Sequence, residues 1–201
     1  MSRTVAVLLV WVLVVGCRAP KTTSSDKFVS YTPTTVGDKW LIASDYGDGF
    51  RDDFTYEVTA VERRDGALVV TTERRPVTGT ARFIEKAKVS DAGLFLMEEG
   101  EHRYDPPVLY LPMPVKEKDT WKSERPGIAK WTYTAGPEEE VEVPAGRFKA
   151  LRIDGVGESE GKPVRCTLWK ARGHPAVKTV LWLGDDKIVE VLKSFTPGKK
   201  E

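Results

Sequence analysis

From about residue 30 onward the chain is a succession of short segments in which apolar and polar residues alternate, separated by residues that favour turns. In residues 54–59 (FTYEVT), bulky and polar side chains alternate with a period of two, which is typical of a half-buried β-strand. Asp65-Gly66 and Gly184-Asp185 supply the chemistry that hairpin turns require. No long window keeps a helical period without a glycine or proline, so the pattern excludes a helical fold.

The same segments predict an antiparallel all-β fold. Strands that follow one another at short intervals through Gly/Asp turns connect as hairpins and a meander, because parallel strands need long crossovers. With about twelve strands, we expect one strongly curved antiparallel sheet, either half-barrel or sandwich-like. Residues 130–134 and 139–143 are interpreted as two separate strands, because Gly136 and Pro137 lie between them.

Two stretches of the sequence resemble each other. Residues 31–40 and 110–121 each contain a Tyr-x-Pro turn, a valine, a charged turn and a tryptophan that opens a strand. One interpretation is a duplicated β module, with two related halves and a ligand groove between them. The alternative is chance, because Tyr-Pro turns and strand-initial tryptophans recur in β proteins.

The N-terminus predicts an export signal. Residues 5–15 (VAVLLVWVLVV) contain no polar side chain and follow a short segment whose only charge is Arg3. As a helix this run would be about 16 Å long, too short for a bilayer core of about 30 Å. A basic start, a short apolar run and the small residue Gly16 are typical of a signal peptide and not of a membrane span.

Residues 13–17 (LVVGC) resemble the lipobox of bacterial lipoproteins. The resemblance implies that the Cys17 thiol is acylated, with palmitate among the chains, and that cleavage after Gly16 leaves the lipidated cysteine first. Each buried methylene adds about 0.8 kcal/mol of membrane affinity, so several chains anchor better than one. A plain signal peptide with a chance cysteine is the alternative. The predicted location is the periplasmic or cell-surface side of a membrane.

The sequence thus predicts a signal peptide over residues 1–16, a flexible tether over 17–27 and an antiparallel β domain over 28–201. The chain has 31 basic and 30 acidic side chains, and the signal contains Arg3, so the remainder is neutral. A neutral chain with interleaved charges gives no electrostatic basis for binding nucleic acid or anionic lipid. The expected contact with the membrane is therefore the N-terminal lipid.

Residues 31–40 and 143–153 (VPAGRFKALRI) are also similar to uncharacterised exported bacterial proteins with a Y-x-P…V-G-x-x-W opening and a V-P-A-G-x-F hairpin. The resemblance extends over most of residues 31–195. It implies an antiparallel β fold like the half-barrels of periplasmic lipoprotein carriers, and it implies no activity.

The sequence offers weak candidates for a metal site and none for catalysis. Calcium prefers converging carboxylates, but the acidic cluster lacks EF-hand spacing and a solvated hairpin tip explains it as well. This cluster contains Asp45, Asp48, Asp52 and Asp53. His102 and His174 are the only histidines, and Cys166 is expected to be packed. We predict no catalytic residues, no metal and no cofactor.

Four tryptophans on predicted strands are candidates for contact with a ligand, although aromatic side chains on strands more often pack in the core. They are Trp121, Trp131, Trp169 and Trp182. The leading hypothesis is a membrane-anchored, non-enzymatic β module that binds a hydrophobic ligand or an envelope protein. The alternatives are a structural or assembly protein that uses its sheet edges, and an enzyme.

Overall fold

The computed structural model describes residues 30–47 and 49–199, so the predicted signal peptide, the tether and Cys17 lie outside the described residues. The described residues form twelve β-strands. In chain order these are β1 (Lys39–Asp45), β2 (Arg51–Arg64), β3 (Ala67–Pro76), β4 (Phe83–Ser90), β5 (Gly93–Glu99), β6 (His102–Pro112), β7 (Thr120–Arg125), β8 (Ala129–Val143), β9 (Gly146–Ser159), β10 (Lys162–Ala171), β11 (Ala176–Leu183) and β12 (Asp186–Thr196).

The strands form one antiparallel sheet in the order β6-β5-β4-β3-β2-β1-β12-β11-β10-β9-β8-β7. Neighbours in sequence pair as an up-and-down meander, and β1 pairs with β12 from Lys39↔Thr196 to Asp45↔Val189. The sheet therefore curls into a nearly closed barrel. The predicted all-β fold with a strongly curved antiparallel sheet is confirmed, and the sheet closes further than a half-barrel. The described strands contain no second sheet, which a sandwich requires.

Residues 130–143 form one strand, where the sequence predicted two. The pairing of β8 with β9 shifts its register between Ala135 and Glu138. Gly136 and Pro137 lie in this β-bulge, where a proline is tolerated because the ladder is locally interrupted. The bulge absorbs the two residues that looked like a break, and β8 continues to Val143.

The two similar stretches of sequence form the same turn. Asp38 Oδ2 accepts a hydrogen bond from the backbone N–H of Thr35 at 2.9 Å. Asp119 Oδ2 accepts one from the backbone N–H of Lys116 at 2.7 Å. Each aspartate thus closes a four-residue turn directly before a strand, β1 in the first half and β7 in the second.

The tryptophans that follow these turns also occupy matching positions. Trp40 lies opposite Tyr56 of β2, and their rings stack with centroids 5.2 Å apart. Trp121 lies opposite Tyr133 of β8, and these rings stack at 5.5 Å. The barrel therefore repeats one local arrangement at the start of each six-strand half, as expected of a duplicated module.

Side chains bridge the gap between β6 and β7, which share no backbone pairing among the described residues. Trp121 Nε1 of β7 donates to the carbonyl oxygen of Tyr110 in β6 at 3.1 Å. Arg125 Nη1 of β7 donates to both carboxylate oxygens of Glu99 in β5, at 3.2 and 2.9 Å. These contacts hold the two edge strands of the sheet next to each other.

A packed core lies where the β8–β9 hairpin meets β12. The backbone N–H of Ala145 in the hairpin donates to the carbonyl oxygen of Leu192 at 3.1 Å. Val143 and Ala150 belong to the same buried cluster as Leu192, which is fully buried. The described residues contain no helix that is long and apolar enough to span a membrane.

Candidate functional site in the barrel interior

The barrel encloses a cavity of about 350 Å³. Every strand except β9 contributes a side chain to its wall. Because side chains alternate across a strand, β10 turns Cys166, Leu168 and Lys170 inward and Trp169 outward. The volume falls within the range of roughly 300–1,000 Å³ that is typical of small-molecule sites.

Strand β9 contributes no side chain to the cavity wall because a glycine lies at the position where two neighbouring side chains meet. Gly155 lies opposite Tyr133 of β8 and Cys166 of β10. A Cβ atom on Gly155 would lie 2.7 Å from Cys166 Sγ and 2.7 Å from Tyr133 Cε1. The absence of a side chain lets the thiol and the phenol ring approach each other over the strand.

Most of the wall is apolar or aromatic. The aliphatic and small apolar side chains are Ile42, Ala87, Leu94, Leu96, Val108, Leu168, Ala176 and Leu181. The aromatic side chains are Trp40, Tyr56, Tyr110, Trp131 and Tyr133. Burial raises the pKa of Tyr56 to about 12 and raises the pKa values of Tyr110 and Tyr133 as well. The tyrosines are therefore neutral at physiological pH, and the wall suits an apolar ligand.

Five glutamate, arginine and lysine side chains also line the cavity, and two of them form an ion pair. The five are Glu85, Glu99, Arg125, Lys170 and Glu190. Arg125 and Glu99 make the bidentate contact described above, and the hydroxyl of Tyr104 donates to Glu99 Oε2 at 3.2 Å. This pair is therefore already neutralised within the protein.

Lys170 is a buried cation in this wall, with only 7% of its surface exposed. Its Nζ lies 5.1 Å from the ring centroid of Tyr110. Among the described residues, no carboxylate oxygen lies within 4.0 Å of this nitrogen. Burial lowers the pKa of Lys170 to about 8, and the charge of Glu85 partly opposes the shift.

Two carboxylates face the same space without a close cation. Glu85 lies deep in the barrel but keeps an accessible surface that faces the cavity. Burial raises the pKa of Glu85, and the charge of Glu99 raises it further. Burial also raises the pKa of Glu190, whose Oε1 accepts a hydrogen bond of 3.4 Å from Ser44 Oγ.

Cys166 and the histidines do not form a nucleophilic pair. Burial raises the pKa of the Cys166 thiol to about 12, and the charge of Asp154 adds to the shift. The thiol is therefore protonated at neutral pH, and the thiolate is the nucleophilic form. Neither His102 nor His174 belongs to the cavity wall. His174 instead packs its ring against Phe195, with centroids 4.8 Å apart.

Two of the four predicted ligand-contacting tryptophans lie at or beside the cavity. Trp131 lines it, and among the described residues its buried Nε1 has no hydrogen-bond partner. Trp121 lies outside the lining, stacks against Tyr133 and bridges the gap between β6 and β7. A direct contact with a ligand in this cavity is therefore geometrically available to Trp131.

The other two tryptophans lie on the outer face of the barrel. Trp169 Nε1 donates to Glu139 Oε1, and Lys178 Nζ lies over the Trp169 ring at 5.1 Å. The guanidinium carbon of Arg165 lies 4.5 Å from the ring centroid of Trp182. Both rings are covered by cationic side chains of the protein and do not line the cavity.

The predicted acidic cluster is held mainly by contacts within the protein. It contains Asp45, Asp48, Asp52 and Asp53, of which Asp48 lies outside the described residues. Arg51 Nε donates to Asp45 at 3.1 Å, and Lys193 Nζ donates to Asp53 at 2.8 Å. Within residues 30–47 and 49–199, no group of three or more His, Cys, Asp or Glu side chains is placed to hold a metal ion.

Sequence reasoning missed the charged groups of the interior. Glu85 lies between Phe83 and Ala87 on the same face of β4. Lys170 lies on the same face of β10 as Cys166 and Leu168. A charged residue at a position where the alternation of the strand predicts an apolar one is the signal that could have identified Glu85 and Lys170. It marks a side chain that faces inward despite its charge.

No protein-family model and no curated protein sequence matches the chain. Two solved structures share its fold. A candidate lipoprotein of Parabacteroides distasonis aligns with a TM-score of 0.59 and 15% identity, covering 83% of this chain and 98% of its own. A candidate exported protein of Bacteroides fragilis with a YmcC-like fold aligns with a TM-score of 0.59 and 14% identity, covering 84% and 100%. At these identities the likeness shows the fold alone.

Proposed function

We propose that this chain is an exported lipoprotein without enzymatic activity, held at a membrane by lipid on Cys17, whose barrel binds a hydrophobic small molecule. The observation that carries the proposal is the cavity of about 350 Å³. Its aliphatic and aromatic wall is drawn from nearly the whole barrel, and such a wall with a few polar groups is typical of small-molecule sites.

Two observations support a binding role over catalysis, and a third supports an envelope location. The Cys166 thiol is held protonated by its burial. Neither histidine lines the cavity, so no Cys–His or Ser–His pair can form there. The two proteins of similar fold are a candidate lipoprotein and a candidate exported protein, which supports an envelope location.

Uptake of a fluorescent fatty acid tests the binding role. The probe should gain fluorescence with the native chain, and Ala87→Phe, which places a ring in the cavity wall, should weaken binding at least about tenfold. Val156→Phe is the matched control, because Val156 is 62% exposed and does not line the cavity. If both variants bind like the native chain, or if none takes up the probe, the proposal fails.

Membrane fractionation tests the anchor. Cys17→Ser removes the thiol that would carry the lipid, so we expect the variant to appear in the soluble fraction or as an uncleaved precursor. A serine variant that is processed correctly and stays fully membrane-bound would refute lipid anchoring at this residue. Cys166→Ser is the matched control, because it removes the other cysteine and should leave fractionation unchanged.

A protein partner is the second candidate. Large apolar side chains are exposed in the connections, or at the strand ends next to them, at one end of the barrel: Phe50 59%, Val77 55%, Phe83 42% and Leu183 41%. Apolar side chains that cluster on a surface mark interaction sites. Val77→Asp combined with Leu183→Asp should abolish co-purification of such a partner, whereas a stable envelope complex that survives both changes would exclude this surface.

A further inference from the structure

We infer that the ligand of the barrel carries an acidic head group that pairs with Lys170, while its apolar body lies along the aliphatic wall. This inference rests on the proposed function, because it names the chemical class of the ligand that the cavity takes. The ligand is thus an amphipathic acid, with a carboxylate or phosphate at one end of an apolar chain.

The Lys170 ammonium group is buried in the cavity wall without a close counter-ion. The side chain is more than nine-tenths buried and belongs to the cavity wall. No carboxylate of the described residues lies within 4.0 Å of Nζ, and the Tyr110 ring at 5.1 Å is the nearby group that stabilises the charge. A buried charge without a partner is strongly unfavourable, and an anion bound in the cavity would remove this penalty.

The other charged groups of the wall are already stabilised by protein partners or by contact with water. Arg125 is already paired with Glu99 by two hydrogen bonds. Glu85 keeps accessible surface inside the cavity, so water can hydrate its carboxylate. Glu190 accepts a hydrogen bond from Ser44. Among these five groups, Lys170 has lost most of its hydration without gaining a counter-ion.

The surface next to the Lys170 ammonium group is apolar. Leu168 faces inward two residues before Lys170, which places it about 7 Å along the same strand. Leu181 lines the cavity from the neighbouring strand β11, directly opposite Cys166. A chain whose acid group meets Lys170 would therefore run along an apolar track on β10 and β11.

Glu85 is the acidic group whose charge acts on Lys170, and it faces the cavity from β4, on the opposite side of the barrel. A bound anion would lie between the two side chains. Arg74 and Arg125 also act on Glu85 and offset its charge. These cations and Lys170 match the three carboxylates of the wall in number, so a bound anion adds one negative charge to the interior. Its contact with Lys170 must therefore outweigh its repulsion by Glu85.

Calorimetric titration with four twelve-carbon probes tests the inference. The probes are dodecanoate, dodecyl phosphate, dodecanol and dodecylamine, and the protein is the full chain with Cys17→Ser, so that no acyl chain of its own competes. We expect one or both acids to bind at least about tenfold more tightly than the alcohol and the amine. Which acid binds more tightly identifies a carboxylate or a phosphate head.

Two variants locate the head group. Lys170→Met should remove the preference for acids and leave the affinity for dodecanol unchanged, and Lys170→Gln should do the same if the methionine variant does not fold. Lys178→Met is the matched control, because Lys178 lies over Trp169 on the outer face, and it should retain the full preference for acids.

The outcomes separate this inference from the function on which it rests. If dodecanol binds as tightly as the acids, or if both Lys170 variants keep the preference, the acidic head group is refuted and hydrophobic binding stands. If dodecylamine binds most tightly, the carboxylates Glu85 and Glu190 are the partners and the inference is overturned. If no probe binds, hydrophobic binding itself is refuted.

Discussion

The indole nitrogen of Trp121 lies 3.1 Å from the carbonyl oxygen of Tyr110 and donates a hydrogen bond to it. This bond links β7 directly to β6, two strands that share no backbone pairing within the described part of the chain. The first of the two similar halves has no equivalent of this gap. Trp40 occupies the matching position in the first half, where β1 is paired with β12 by a backbone ladder.

Replacing this tryptophan tests how much the indole contact stabilises the barrel. Trp121→Phe removes the donor, so we expect the free energy of unfolding to fall by about 1 kcal/mol more than in the control Trp131→Phe. The control replaces an indole by a phenyl ring in the same way, but the indole nitrogen of Trp131 has no hydrogen-bond partner among the described residues. Urea denaturation measures both variants, and equal destabilisation would show that the indole bond contributes nothing.

Lys170→Met should make the ligand-free protein more stable at pH 7. The pKa of Lys170 falls from 10.5 to about 8 on folding, which corresponds to about 3 kcal/mol of unfavourable interaction with the charged form. Between pH 8 and 10.5 the unfolded chain binds more protons than the folded one, so this penalty fades as pH rises.

The stability difference between Lys170→Met and the native chain should therefore be largest below pH 8 and shrink at pH 9. Denaturation of both proteins at pH 7, 8 and 9 measures it, and the comparison cancels the titration of tyrosines and Cys166. Lys178→Met is the control and should show no such trend. A difference that stays constant from pH 7 to 9 would contradict a pKa near 8.

The thiol of Cys166 should resist alkylation in the folded protein. Its pKa of about 12 leaves little thiolate at pH 8, and the thiolate is the reactive form. We expect iodoacetamide to label Cys166 at least about a hundredfold more slowly in buffer than in denaturant. Mass spectrometry of the Cys166 peptide measures the rate, and rapid labelling of the folded chain would show that the thiol is accessible and ionised.

Gly155→Ala should destabilise the barrel by about 1–3 kcal/mol, because the new methyl group overlaps Cys166 Sγ and the Tyr133 ring. Gly136→Ala is the matched control, since the atoms nearest to its added Cβ, on Arg152, are 3.5 Å away. The double change Gly155→Ala with Cys166→Ala should recover part of the loss. Thermal unfolding that is unchanged in Gly155→Ala would refute the close approach at this glycine.

The alternation of side chains predicted the strands but not the closure of the barrel. Residues 54–59 alternate and lie within β2, as expected for a half-buried strand. The pairing of β1 with β12 joins the first and the last of the described strands. Such a contact depends on the summed twist and curvature of all twelve strands, which no local pattern contains.

The cavity was harder to predict because inward and outward faces are both partly apolar. On β10, Lys170 faces inward and Trp169 faces outward beneath Lys178. Hydrophobicity alone suggests the reverse. A barrel with a wide interior can hold charged side chains near its cavity, whereas a cation can cover a tryptophan on the outside. Whether Trp169 faces inward or outward therefore follows from its neighbours along the strand and not from its own hydrophobicity.

The barrel has one junction where opening it breaks no backbone ladder. Parting any two paired strands breaks a row of backbone hydrogen bonds, whereas parting β6 from β7 breaks the indole bond of Trp121 and the contact of Arg125 with Glu99. The lowest barrier to widening the barrel should therefore lie along this line. A ligand too large to pass through the ends of the barrel would have to enter and leave between β6 and β7, and these two side-chain contacts would then set the rate.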